Sequence, residues 1–116
     1  MRVHKRENLW GKRKGERTPE MAFKIPILKV INSLGGRARV SDILRRVEEQ
    51  MRGVLNEYDY EPLPKSGEMR WRNTARWCRN TMVNEGLLRH DSPRGIWEIT
   101  EKGRRYLKEH EKITIE

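Results

Sequence analysis

Residues 69–85 carry four arginines, two tryptophans and three asparagines. At about 100° per residue on a helix, Asn73, Arg76, Asn80 and Asn84 share one face, with Arg72 and Trp77 flanking it. Trp71, Ala75, Cys78 and Met82 share the face behind. The second set is apolar and belongs in a core. The first set has the shape of base-edge recognition: a guanidinium spans guanine O6 and N7, and a carboxamide spans adenine N6 and N7 in the major groove. Arginine and asparagine on an exposed helix face are also ordinary solvation. The neighbouring tip, Arg89-His90-Asp91-Ser92-Pro93-Arg94-Gly95, adds a second basic element just after the helix and favours recognition over solvation.

The charge is distributed accordingly. The 116-residue chain carries a net +9 with a pI near 10.1. Residues 1–18 hold net +5, residues 19–69 are neutral, residues 70–105 hold net +5 and residues 106–116 hold net −1. Charge focused on one tail and one unit points to a polyanion, where side-chain cations meet phosphates. Arg39, Lys65, Ser66, Arg70, Arg72, Arg79, Arg89 and Arg94 are the expected phosphate contacts. Catalysis has no visible support. His4, His90, His110 and the lone Cys78 are scattered and make no metal-ligand spacing, and no phosphate-cradling glycine loop is present. Glu48-Glu49 reads as a solvated helix face. No metal or cofactor is expected.

One small domain is expected at this length, with a modest core, since 34% of residues are hydrophobic. No apolar run approaches the ~20 residues of a membrane span, and no apolar stretch follows the basic N-terminus as a secretory signal requires. With a single cysteine, a reducing cytoplasm beside the nucleoid is the expected location.

The elements that must position the basic face can be taken in order. Residues 1–18 form a basic arm with Leu9 and Trp10 as its apolar pair; it is expected to be flexible, with or without a nucleic-acid contact. Thr18-Pro19-Glu20 has the form of a helix start, with Thr18 as cap. Phe23, Ile27, Leu28, Val30, Ile31 and Leu34 follow at helical spacing. Pro26 conflicts with this helix unless the helix begins near it or kinks there. Gly35-Gly36 ends it, and residues 37–40 look extended. Ser41 is the expected cap of a second helix with Ile43, Leu44, Val47 and Met51 as its apolar stripe. Residues 53–67, with Pro62, Pro64 and Gly67, form a long connection: a functional loop or a floppy insertion. The third helix ends at Gly86. Residues 87–89 and 96–99 read as two short strands, with Trp97 and Ile99 inward. Thr100 caps a last helix, residues 101–111, packed through Tyr106 and Leu107, and residues 112–116 form a frayed tail.

Helix, short strand, helix, recognition helix, basic hairpin and closing helix describe a winged helix: α+β, mostly helical, over residues 19–111. The motifs Leu63-Pro64-Lys65-Ser66-Gly67, Trp71-Arg72-Asn73, Trp77, Met82, Gly86-Leu87 and the run from Arg94 to Gly103 resemble the N-terminal winged-helix domain of Mrr-type restriction endonucleases, which cut DNA carrying modified bases. The resemblance spans roughly residues 20–108 and includes Pro26 and the long connection. The nuclease half of those enzymes would follow residue 116. The resemblance thus implies a reading module without the cutting module, and no enzyme.

Winged helices related to that family read N6-methyladenine in duplex DNA, so the resemblance implies double-stranded, adenine-methylated DNA as the partner. The neutral N6 methyl needs apolar contact. Trp77 is the first choice for it and Trp71 the second, with Asn73 or Asn80 on the adenine edge and Arg76 alongside. The alternatives are a methylation-indifferent transcriptional regulator of the same fold, or a protein–protein adaptor. A monomer is expected.

Overall fold

The computed structural model describes residues 16–115, with side chains to Glu111. The basic arm expected over residues 1–18 therefore lies almost wholly outside the described residues. The elements are α1 (Lys24–Ser33), β1 (Arg37–Arg39), α2 (Val40–Gln50), α3 (Arg70–Asn84), β2 (Ile96–Glu98) and α4 (Glu101–Ile115). Short 3-10 helices at Glu20–Phe23 and Tyr58–Tyr60 precede α1 and α3 respectively.

The Pro26 conflict resolves through position. The 3-10 turn carries the chain into α1, so Pro26 falls in the helix's first turn, where a backbone N–H has no intrahelical acceptor to lose. Thr18 does not cap this start. It is buried, and its hydroxyl and backbone N–H both donate to Asp59 at 2.7 Å. A second correction concerns α2, which begins at Val40 with Arg39 in the cap position; Ser41 lies inside the first turn. The Val40 N–H is instead satisfied at 2.9 Å by the Gly95 carbonyl, which ties the hairpin turn to the start of α2.

Alpha-helix α1 lies at the centre of the core. Its Ile27, Leu28, Val30 and Ile31 are buried against Ile43, Leu44 and Val47 of α2, Trp71, Ala75, Cys78 and Met82 of α3, and Leu107 of α4. Burying a large aliphatic side chain contributes about 1.5–3 kcal/mol, so this one cluster carries the fold. The Trp71 ring stacks on Phe23 with centroids 6.5 Å apart and planes 7° from parallel.

The wing differs from two equal strands. β2 pairs antiparallel with β1, in the register Arg37 to Glu98, Ala38 to Trp97 and Arg39 to Ile96. The 87–89 segment contributes a single bridge, Leu88 to Ile99, and the Arg89 N–H to Glu98 carbonyl bond of 2.9 Å. Thr100 caps α4 as expected: the Gly103 N–H donates to its Oγ1 at 2.9 Å, and that hydroxyl donates to the Gly86 carbonyl at 2.6 Å. Gly103 is required there because any Cβ would collide with the Leu87 carbonyl oxygen and Ile99. α4 runs to Ile115, through the segment expected to fray.

The long connection is ordered by its own bonds. Asp59, 1% exposed, accepts from Thr18 and from the Asn56 N–H at 3.0 Å, while its own N–H donates to Asn56 Oδ1. The Asn56 amide donates to the Glu16 carbonyl at 2.9 Å, so residues 16–18 are tied into the connection. At the tip, Leu63 N–H donates to the Glu68 carbonyl and Gly67, at φ 78°, donates to the Leu63 carbonyl. Pro62 then bridges to Met69 at the entrance of α3. Glu48 also departs from a purely solvated role: its carboxylate accepts from the Tyr60 hydroxyl at 3.0 Å. Burial and that bond push the Tyr60 phenol above its usual range.

Candidate nucleic-acid interface

The third helix presents two flanks. On the wing side, Arg72, Arg76 and Arg79 face Arg39 at the start of α2 and Arg94 in the wing turn across a cleft of about 790 Å³. These five arginines share its lining with Ser41, Ser92, Trp97 and apolar backbone neighbours, and no acidic side chain is among them. The spacing explains the row: positions i, i+4 and i+7 stack on one side of a helix. Gly95 at φ 79° turns the wing so that Arg94 meets that row. Arg39, Arg72, Arg79 and Arg94 have no ion-pair partner among the described residues. Two polar atoms in the cleft wall, Arg79 Nε and Ser92 Oγ, are buried without a hydrogen-bond partner among the described residues. Uncompensated cations and orphaned donors together make a surface that an anion stabilises.

The other flank is built differently. Asn73, Thr74 and Trp77 line a smaller hollow of about 260 Å³ with Arg17, Glu20, Leu63 and Arg70. Trp77 is 59% exposed, an unusual state for the largest side chain. Arg70 is committed here. Its guanidinium lies 4.0 Å from the Tyr58 ring centroid, its Nε donates to the Tyr58 carbonyl and Glu61 lies within 3.9 Å.

The expected base-reading set is therefore divided. Asn73 and Trp77 stand together on the hollow side, Arg76 lines the cleft, and Asn80 is exposed with its Oδ1 accepting from Arg79 at 3.3 Å. Trp71 is removed from the set: it is 0% exposed and its ring is a core element. The expected phosphate set divides as well. Arg39, Arg72, Arg79 and Arg94 converge on the cleft. Lys65 and Ser66 sit at the tip of the connection and do not line it. Arg70 holds the connection to α3, and Arg89 donates from Nε and one terminal nitrogen to the two Asp91 carboxylate oxygens at 2.9 and 3.0 Å. Those bonds hold the Asp91 carboxyl below its ordinary value and raise Arg89. Arg76 is shared with Glu68 at 2.7 Å.

Sequence reasoning missed Ser41 and Ser92 as parts of the cleft. Ser92 was within reach, because it lies in the wing turn beside Arg94. Ser41 was hidden by its reading as a cap. Among the described residues no group of three or more histidine, cysteine, aspartate or glutamate side chains could hold a metal ion. Burial pushes the Cys78 thiol up to about 12, which leaves it inert. No helix among the described residues is long and apolar enough to cross a membrane.

This arrangement defines a winged helix, and a solved structure supports the fold. The chain is similar to "F93 from STIV, a winged-helix DNA-binding protein", with a TM-score of 0.56 and 16% identity over 84% of this chain and 91% of that one. Residues 21–109 match the Mrr N-terminal domain, so the chain belongs to that family, as the motifs from Leu63 to Gly103 implied. A search of curated proteins found no match.

Proposed function

We propose that this chain binds duplex DNA, with α3 in the major groove and the wing turn beside the adjacent backbone. The observation that carries the reading is the acid-free cleft with its five arginines. Phosphates placed there meet Arg39, Arg79 and Arg94 from three separate parts of the fold. The groove-facing ridge between the two flanks carries Arg76 and Asn80, which have the donor and acceptor geometry of base edges. Membership in the Mrr N-terminal domain family and the fold shared with a DNA-binding winged helix both support this reading.

The finer reading is a preference for N6-methyladenine. Trp77 supports it, because an exposed indole beside Asn73 and one turn from Asn80 offers apolar contact next to amides. The methyl leaves one N6–H donor in place and adds no charge, so the gain is apolar burial. One methyl is worth about 0.8 kcal/mol, a few-fold in affinity, and two methyls at a palindromic site roughly square that factor.

Matched duplexes, unmethylated, hemimethylated and fully methylated at adenine N6, titrated at several salt concentrations, test both levels. The expected result is a steep loss of affinity with salt, a few-fold tightening per methyl, and loss of the methyl increment in Trp77→Ala. Salt-dependent binding with no methyl increment removes the finer reading. Absence of binding at low salt removes both.

A further inference from the structure

Three arginines form the row on the wing side of α3, and the middle one is built differently. Arg72 and Arg79 have no ion-pair partner among the described residues, whereas Arg76 Nε donates to Glu68 Oε2 at 2.7 Å. Both members of that pair stand at the surface, with side chains 48% and 25% exposed. An exposed pair of this kind adds little to stability, so folding alone does not explain an acid beside the cleft. Glu68 is also fixed through its backbone. Its N–H donates to Ser66 Oγ at 3.1 Å, its carbonyl accepts from the Leu63 N–H at 2.8 Å, and the Gly67 N–H closes the same turn on the Leu63 carbonyl at 2.9 Å. The bridge from Pro62 to Met69 and the 2.9 Å bond from the Arg70 N–H to the Glu61 carbonyl tie that turn to the start of α3. The tip of the long connection thus sets a carboxylate against an arginine eight residues further along the chain.

We propose that Glu68 is a positioning residue for base reading: it holds Arg76 through Nε and leaves the terminal nitrogens of the guanidinium for a guanine in the major groove. The inference rests on the duplex-binding reading above and names one base of its site. A guanidinium is a rigid planar fork of N–H donors. With the Nε–H taken by Glu68, the remaining donors lie on Nη1 and Nη2, and a parallel pair of them matches guanine O6 and N7. An untied arginine on a helix surface samples many rotamers and meets phosphates as readily as base edges; one tied at Nε has its fork held in place before the DNA arrives. The neighbours fit this division, since Arg72 and Arg79 on either side of Arg76 are left for the backbone. The Glu68 charge repels phosphates. It therefore lowers affinity for every duplex while sharpening the choice among them.

The test uses the full chain and a pool of duplexes with a randomised segment, selected at fixed salt. The parent should prefer guanine at one position by about 5–150-fold, the range of a bidentate arginine–guanine pair, and Arg76→Ala should flatten that position alone. Glu68→Ala should lose most of the same preference, while its affinity for duplexes lacking the guanine stays equal or rises. Glu68→Gln, whose carboxamide oxygen still accepts from Nε, should keep the greater part of it. If Glu68 only supported the fold, Glu68→Ala would weaken all duplexes together and leave the base preference intact, and that result overturns the proposal. A sharper guanine preference in Glu68→Ala also overturns it, because Glu68 would then be a mask over Arg76. Equal loss in Glu68→Ala and Glu68→Gln assigns the effect to charge and overturns the positioning bond. A parent that binds duplexes with no guanine dependent on Arg76 overturns the proposal and leaves duplex binding standing. A parent that binds no duplex removes the underlying reading, and the proposal with it.

Discussion

The two flanks of α3 are made from the same residue types and end in opposite states. On the wing side, Arg39, Arg72, Arg79 and Arg94 are left without acidic partners among the described residues around an open cleft. On the connection side, Arg70 is engaged by Tyr58 and faces Glu61, and the buried Asp59 gathers Thr18 and Asn56. A guanidinium with its donors satisfied within the fold contributes to stability and has little left for a ligand; one left unpaired beside others repels them until an anion arrives. Arginine content thus marks the region, and pairing separates the arginines left open to a ligand from those that build the fold.

The two tryptophans of α3 differ most in what their removal should cost. Trp71→Ala should cost about 3–5 kcal/mol of unfolding free energy, as expected for a fully buried aromatic. Trp77→Ala, at an exposed position, should stay within about 0.5 kcal/mol. Denaturant unfolding of the two variants checks this, and a large cost at Trp77 would move it from the surface to the core. Asp59→Ala comes next. It strands the buried Thr18 hydroxyl and N–H and should cost about 1–3 kcal/mol, read in the same experiment. The smallest effect belongs to the wing. Asp91→Asn releases Arg89, so the salt slope for duplex binding should steepen by up to about 0.9 if Arg89 then reaches a phosphate. Because the Asp91 carboxyl is held below its usual value by Arg89, the pair is intact above that usual value and is lost only as pH falls through the lowered one. The comparison of parent and variant therefore holds throughout the neutral range.

Much of this was legible in residue spacing. Trp71, Ala75, Cys78 and Met82 announce a buried helix face, and Thr100 with Gly103 announces a capped helix pressed against a backbone. These signals are local, set by helical period and by one cap. What the sequence hid depends on partners far along the chain. Thr18 looks like a cap until Asp59, 41 residues on, takes both its donors. Arg70 looks like a phosphate ligand until Tyr58 is placed beneath it. Residues 87–89 look like a full strand, yet they make one bridge, Leu88 to Ile99, while the ladder of β2 forms with β1. Trp71 and Trp77 are six residues apart on different faces of α3, and Phe23 completes the burial of the first. The helical wheel found the outward ridge of α3, while the division of its two flanks required knowing where the wing and the connection fold back.

The most direct test removes equal charge from two places. Arg39→Ala/Arg79→Ala/Arg94→Ala empties the cleft of three unpaired cations. Lys29→Ala/Arg105→Ala/Lys108→Ala removes three exposed cations from the α1–α4 side; Lys29 and Arg105 face Glu111 and Glu101 at 4.0 Å. Exposed pairs of that kind contribute about 0–1 kcal/mol to stability, so both proteins should fold. Duplex binding is then measured from about 50 to 200 mM salt, a range over which phosphate contacts from the four unpaired arginines should weaken the parent on the order of 10²-fold. The cleft variant should lose about 2–3 units of salt slope while the α1–α4 variant keeps nearly the parent slope. Equal losses in the two variants would show that net charge alone draws the chain to DNA, and would contradict the cleft as the binding surface.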